Sequence, residues 1–453
     1  MKIIDESLNS TFTIMSLWSL ESDGEFEITG NLEYDDGDIK LTLLNTDFSI
    51  EDKFNEIYGK DSKGNCIILK EIFVKQQLEG SINSCILIAN KMFVGKSFFE
   101  EIKVSEVTFS ANEYSEWINK NIITFKGGFV KLSRENIKSD EIKLSNNVNV
   151  YDYLKGKESV NRNSVNLTQE KCFKIKFINM VDFEDAFEIT NRFKNLTAII
   201  MKKPINFLWV DLRICEYKYR MFYSQNNAKS TNKIKGISYS EIDNLEDIYR
   251  NWFNLKDDLK VLENVIVLNE TLPTYLNTKL IDAIKALEVY HRNFMDQGEH
   301  VELPSTIEED RIKLMQFIED NIIAEEYFLG KVMHEEQGYN LNSRLVKIFT
   351  SLPQNLKEKY IKKSNKKMSK SISSLAYILT ETRNNYVHAD DMTRYPKSLK
   401  DSEEISDMIE KLKDIIWYLY LKTIGIEETI LIDKLIPKQY KFEYPDLEQF
   451  KPK

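Results

Sequence analysis

The spacing of apolar and polar residues changes character along the chain. Up to about residue 180, apolar positions alternate over short runs: Phe26 and Ile28 are set off by Glu25 and Glu27, and Ile39, Leu41 and Leu43 by Lys40 and Thr42. A period of two sends successive side chains to opposite faces, as a half-buried strand requires. Asp35-Asp36-Gly37-Asp38 between the runs supplies the turn residues of a hairpin. Cys66 to Leu69, Ile86 to Ala89 and Phe173 to Phe177 predict further strands, and Gly127-Gly128 a turn or bulge. Helical spacing takes over at residues 182 to 201 through Phe183, Phe187, Phe193, Leu196 and Ile200, with Asp182 as cap and Pro204 closing the segment. A strand is expected at Cys215 to Tyr223, then a loop bearing lysine and asparagine, then a helix near Leu245 to Leu259.

Beyond about residue 270 the strand signals stop. A helix from Thr274 carries Leu276, Leu280, Ile284, Leu287 and Phe294, and helical stripes recur at 306–325, 341–351, 371–388 and 402–424. The expected class is α+β: a β-rich N-terminal domain over 1–265, in one or two subdomains, followed by an all-helical bundle over 266–453.

With 453 residues, 42% hydrophobic and 30% charged, the chain suits a folded protein of two or three domains and excludes a disordered or fibrous one. No apolar run reaches the roughly 18 residues of a membrane span, and MKIIDESLNS lacks the build of a signal peptide. The expected location is the cytoplasm, without a membrane partner. Cys66, Cys85, Cys172 and Cys215 form no Cys-x-x-Cys pair and are expected to be reduced core thiols. His291, His300, His334 and His388 do not cluster with cysteine, so neither a metal site nor another cofactor is expected. A net charge of −10 excludes a surface coated for nonspecific nucleic-acid binding; any such site is local. Gly95-Lys96-Ser97 resembles the end of a phosphate-binding loop, but Asn90 stands where its first glycine belongs.

The candidate chemistry lies in Arg383-Asn384-Asn385-Tyr386-Val387-His388. At about 100° per residue, Arg383 falls about 20° from Ile372, on the stripe shared by Leu375, Ala376 and Leu379. A guanidinium there calls for an anion, because an unpaired buried charge costs about 3–5 kcal/mol. Tyr377, Glu381, Asn384 and His388 occupy an arc of about 60° on another side, where Glu381 or Asn384 is expected to fix the tautomer of His388. Lys357, Lys359, Lys362, Lys363, Lys366, Lys367 and Lys370 precede the helix with only Glu358 to offset them. That run is a phosphate-attracting patch, with Lys362, Lys363, Lys366 and Lys367 as its candidate contacts to the phosphates of a polyanion. Taken one by one these features have plainer readings: a cation suits any helix C-terminus, and a lysine run is usually a solvated loop.

Together the residues resemble the HEPN domains, helical nucleases defined by an arginine and a histidine with four to six residues between them. Asparagine often follows the arginine there, as in Arg383-Asn384. Ala286-Leu287-Glu288-Val289-Tyr290-His291-Arg292 and Glu381 to His388 are similar to the ApeA-like subgroup, with Glu288, His291 and Arg292 a second candidate cluster. Gly30-Asn31-Leu32, Tyr58-Gly59-Lys60 and Phe109 to Trp117 resemble the β-rich ApeA N-terminal domain, and Asn251 to Leu255 the joining segment. The resemblance implies a bacterial anti-phage protein with a sensing or regulatory N-terminal domain and a phage-derived trigger. It further implies abortive infection through RNA cleavage, with transfer RNA a candidate substrate and Arg383 and His388 catalytic. Arg383 and His388 stand about 140° apart on a straight helix. A bend, or a homodimer with facing motif helices, is needed to unite them. Tyr386 is a further supporting residue. The alternatives are a catalytically silent HEPN binding or scaffold protein, and the toxin of a toxin–antitoxin pair.

Overall fold

The computed structural model describes residues 3–44, 55–78, 83–99, 101–118, 123–126, 129–132, 140–161, 164–225, 234–271, 274–296, 305–322, 340–362, 366–388 and 395–436. The chain divides into two compact units, Met1–Lys256 with two short pieces (Glu270–Leu272 and Ile424–Ile426), and the remainder from Asp257.

In the first unit β1 (Thr11–Ser19), β2 (Ile28–Asp35), β3 (Asp38–Leu44), β4 (Glu56–Asp61), β5 (Cys66–Leu78) and β6 (Ser84–Gly95) pair antiparallel. The ring runs β1-β2-β3-β6-β5-β4 and returns to β1, closing a barrel. The β2–β3 turn has Asp36 at φ 45° and Gly37 at φ 102°, the pair of left-handed residues that a two-residue hairpin favours. Leu32, Tyr34, Ile39, Leu41 and Leu43 are buried, and the Tyr34 hydroxyl donates to Leu8 O at 2.6 Å. Trp18 is fully buried, and two neighbouring strands make room for it with glycine. A Cβ on Gly30 would stand 2.6 Å from Cδ1 of its indole, and one on Gly59 2.7 Å from Cζ3.

β7 (Lys103–Ala111), α1 (Asn112–Trp117), the isolated hairpin β8 (Ile123–Lys126) and β9 (Phe129–Leu132), β10 (Asp140–Lys143), β11 (Val148–Asn161) and β12 (Ser164–Asp182) follow. After α2 (Phe183–Met201) come β13 (Phe207–Ile214) and β14 (Tyr217–Tyr223). These strands form an open run, β10-β11-β12-β7-β13-β14, that joins the barrel where β14 pairs with Lys91–Val94 of β6. Phe193 of α2 packs on Phe109 and Phe173 at ring distances of 6.2 and 5.1 Å, and Tyr249 and Trp252 of α3 (Leu245–Leu255) cover it.

Several local expectations shift. Cys215 is an exposed turn residue at φ 53° rather than a core thiol, and the expected strand beyond it is the second half of a hairpin whose first half is β13. Cys66, Cys85 and Cys172 are buried, as expected of core thiols. Asp182 stands at the N-cap of α2, but its carboxylate takes Lys103 Nζ at 2.7 Å and makes no cap hydrogen bond. The helix expected to reach Leu259 ends at Leu255, and a further helix, α4 (Lys260–Thr271), begins after it. Gly127-Gly128 lies outside the described residues, between the paired β8 and β9. Gly95 ends β6 against the Tyr219 ring, Lys96 donates to Asn65 and Ser97 bonds Tyr219, which is strand packing and not a phosphate cradle.

The second unit is helical: α4, α5 (Leu276–Tyr290) running into a π turn at His291–Met295, α6 (Ser305–Asn321), α7 (Leu341–Ser351), α8 (Gln354–Tyr360), α9 (Met368–His388), α10 (Ser402–Thr423) and α11 (Glu428–Leu435). α5 packs against α7, α9 and α10, and α7 against α9. Leu280, Ile284, Leu287, Leu345, Ile348, Leu379, Leu412 and Ile416 are fully buried in this bundle. The β-rich region followed by helices is the α+β architecture that the periodicity predicts.

Candidate functional site

The motif helix α9 turns its apolar stripe inward: Ile372, Leu375, Ala376 and Leu379 are all buried. Arg383 continues that stripe and is half-buried, its Nη1 donating to Asn384 Oδ1 at 3.1 Å. Among the described residues it forms no ion pair. A guanidinium has five N–H donors in a planar fork, so this one retains donors for an anion. His388 is the last residue of the helix, and its side chain lies outside the described residues.

The other side of α9 holds the returning chain. Glu381, 9% exposed, accepts the Tyr377 hydroxyl on Oε1 at 2.6 Å and the backbone N–H of Lys397 on Oε2 at 3.1 Å. Thr382, fully buried, donates to Ile378 O at 2.7 Å and accepts the Leu399 N–H at 3.0 Å. Tyr386 closes the set by donating to Leu399 O at 3.0 Å. A strap from Tyr395 to Leu399 is thereby pinned beside the motif, and Lys397 Nζ lies 5.0 Å from the centre of the Tyr377 ring. The bond to Glu381 raises the Tyr377 pKa, because an anionic phenolate would face the carboxylate. Glu381 and Asn384, the two residues expected to orient His388, are thus engaged by the strap and by Arg383. Thr382, Lys397 and Leu399 were not singled out from sequence; a backbone N–H docking on a helical threonine leaves no periodic signal.

Of the lysine run, Lys362, Lys366 and Lys367 before the helix and Lys370 in its first turn are exposed, and none of them ion-pairs among the described residues. Lys363 lies outside the described residues. Lys357 and Lys359 instead donate to the backbone oxygens of Thr350 at 3.2 Å and Leu435 at 2.6 Å. The second cluster is an ion-pair knot: Glu288 binds Arg292 one turn on and Arg344 of α7 at 3.5 Å, while His291 is fully buried beneath the π turn. Burial is the leading cause that lowers the His291 pKa. Among the described residues no three His, Cys, Asp or Glu side chains gather as metal ligands, and no helix is long and apolar enough to cross a membrane.

Residues 14–252 match the family model for ApeA N-terminal domain 1, and residues 281–430 match that for Apea-like HEPN. The chain belongs to the ApeA-like HEPN family. No curated protein and no solved structure matches it. At family level an ApeA-like HEPN protein is a defence-associated nuclease, with a helical domain of a kind that binds RNA and dimerises. In this ApeA-like HEPN chain, α5 through α11 carry the HEPN match, and the barrel with its attached sheet carries the N-terminal one.

Proposed function

We propose that this chain is a metal-independent endoribonuclease of anti-phage defence, in which Arg383 and His388 cut RNA when infection supplies a trigger and the host shuts down. Transfer RNA is a candidate substrate. The observation that carries the reading is Arg383: half-buried on the stripe of the motif helix, bonded to Asn384 and without a carboxylate partner among the described residues. A phosphate oxygen is the anion that meets its remaining donors.

The 2′-oxygen of a ribose attacks the adjacent phosphorus while the bond to the 5′-oxygen breaks. The 2′-hydroxyl gives up its proton and the leaving 5′-oxygen gains one. An imidazole is suited to either transfer, worth about 10²- to 10⁴-fold in rate, and His388 supplies one. Arg383 holds the phosphate and offsets the charge that develops on its oxygens. One product ends in a 2′,3′-cyclic phosphate, which hydrolyses to a 3′-phosphate, and the other begins with a 5′-hydroxyl. DNA lacks the attacking group and is left intact. The five-residue spacing of Arg383 and His388 on one helix favours a site shared across a two-fold dimer.

Expression of the parent chain and of His388→Ala, followed by sequencing of RNA ends in the presence of excess chelator, tests the reading. The parent should leave cyclic or 3′-phosphate ends, and the variant none. Cleavage that survives the substitution, or that stops with the chelator, would refute the mechanism.

A further inference from the structure

Lys370, Tyr377, Asn384 and His388 recur at intervals of seven, seven and four residues on α9, which brings them within an arc of about 40°. One side of the motif helix therefore runs from the lysine cluster to the motif. Lys370 and Tyr377 are exposed along it, and Asn384 is half-buried.

Tyr377 is unusual for a surface aromatic. The residue is 41% exposed, yet its hydroxyl is anchored at 2.6 Å to the carboxylate of Glu381, a residue only 9% exposed. The second oxygen of that carboxylate holds the backbone of Lys397, whose ammonium lies 5.0 Å from the ring centre. Glu381 thus fixes an aromatic ring and the cation that lies over one of its faces. Lys362, Lys366, Lys367 and Lys370 add positive charge at the upstream end, in a chain whose net charge is −10. An exposed ring held in place with lysines free of carboxylates is what an unpaired nucleotide needs: a face for the base and cations for its phosphates.

We infer that this side of α9 is a track for an unpaired RNA strand, with one base stacked on Tyr377 and Lys397 at its phosphate. The inference rests on the reading of the chain as an RNA-cutting protein and names the part of the substrate it grips. Tyr377 precedes His388 by eleven residues, about 16 Å along the helix axis, so the stacked base lies several nucleotides from the scissile bond. RNA is then selected by a single-stranded stretch on one side of the cut, since a base locked in a duplex has no free face to offer.

The test uses the full chain carrying His388→Ala, so that binding is read without cutting. Fluorescence anisotropy compares a short labelled single-stranded RNA with the same strand annealed to its complement. Tyr377→Ala should lower single-strand affinity about five- to a hundredfold, the worth of one stacked base, with little change for the duplex. Tyr377→Phe keeps the ring but loses the anchoring bond to Glu381 and should bind between the parent and Tyr377→Ala, while melting curves check that both variants fold. Equal binding by Tyr377→Ala and Tyr377→Phe, or an equal loss for single strand and duplex, would overturn the track. Failure of the proposed cleavage leaves this binding comparison intact, so the two ideas fail separately.

Discussion

Burial makes His291 a pH-dependent member of the bundle. The desolvation that leads its pKa downward is reinforced by Arg344 and Lys347 and opposed by Asp296. Its folded value therefore lies below the unfolded value of about 6.5, and the unfolded chain takes up the extra proton first. The stability of the native state is complete above about pH 6.5 and declines as pH falls toward the folded value. Thermal melts of the parent and of His291→Gln between pH 7.5 and 5.5 should show the variant losing less on acidification. Parallel slopes would remove His291 from the account. At this scale the sequence is legible where a residue type admits few uses. Arg383 was placed on the buried stripe by spacing, and its half-burial agrees. Gly30 and Gly59 stood out only as parts of a family resemblance; their physical reason, room for the Trp18 indole, needs strand register, which alternation alone does not supply.

At the scale of elements, the strap is the feature that periodicity missed. Apolar spacing reports which side of a helix is covered, not which later segment covers another side. Three side chains of α9 reach the backbone at Lys397 and Leu399, and Thr382 is the buried one of the three that both donates and accepts. Thr382→Val keeps the shape and orphans the Leu399 N–H, at a cost of about 1–3 kcal/mol. Chemical denaturation should show that loss, and hydrogen exchange should show the Leu399 amide opening faster than the amides of α10. Unchanged exchange at Leu399 would mean that the strap holds by other contacts. The break between α3 and α4, and the turn at Cys215, were missed for a related reason. Lys256-Asp257-Asp258 and Cys215-Glu216 contain no glycine or proline to mark an ending, and Cys215 takes a left-handed conformation that favours glycine.

At the scale of the whole molecule, the alternation of the first half and the helical period of the second made the α+β class readable, because each period reports which side of an element is buried. Barrel closure was not readable, since it depends on pairing between strands distant in sequence, such as β1 with β4. The proposed dimer has a direct test in mixed assemblies. If each active cleft takes Arg383 from one chain and His388 from the other, Arg383→Ala and His388→Ala chains are separately inactive. Their heterodimer keeps one intact cleft, and mixing should restore up to about half of the parent activity per heterodimer. No recovery on mixing, with heterodimer formation verified, would place both residues in the same chain's cleft.

The strand β6 serves the barrel and the open run of the same sheet at once. Its first half, Ser84 to Ala89, pairs with β3, its Lys91–Val94 segment pairs with β14, and β5 flanks both parts. No single cut in the sequence therefore yields a self-sufficient barrel: ending the chain before β13 strips β14 away and bares a run of backbone donors and acceptors on β6, an adhesive edge for other chains. Soluble fragments for binding studies should keep the first 225 or so residues together. A family model that spans 14–252 as one block is the inheritance pattern expected of a piece that cannot be divided.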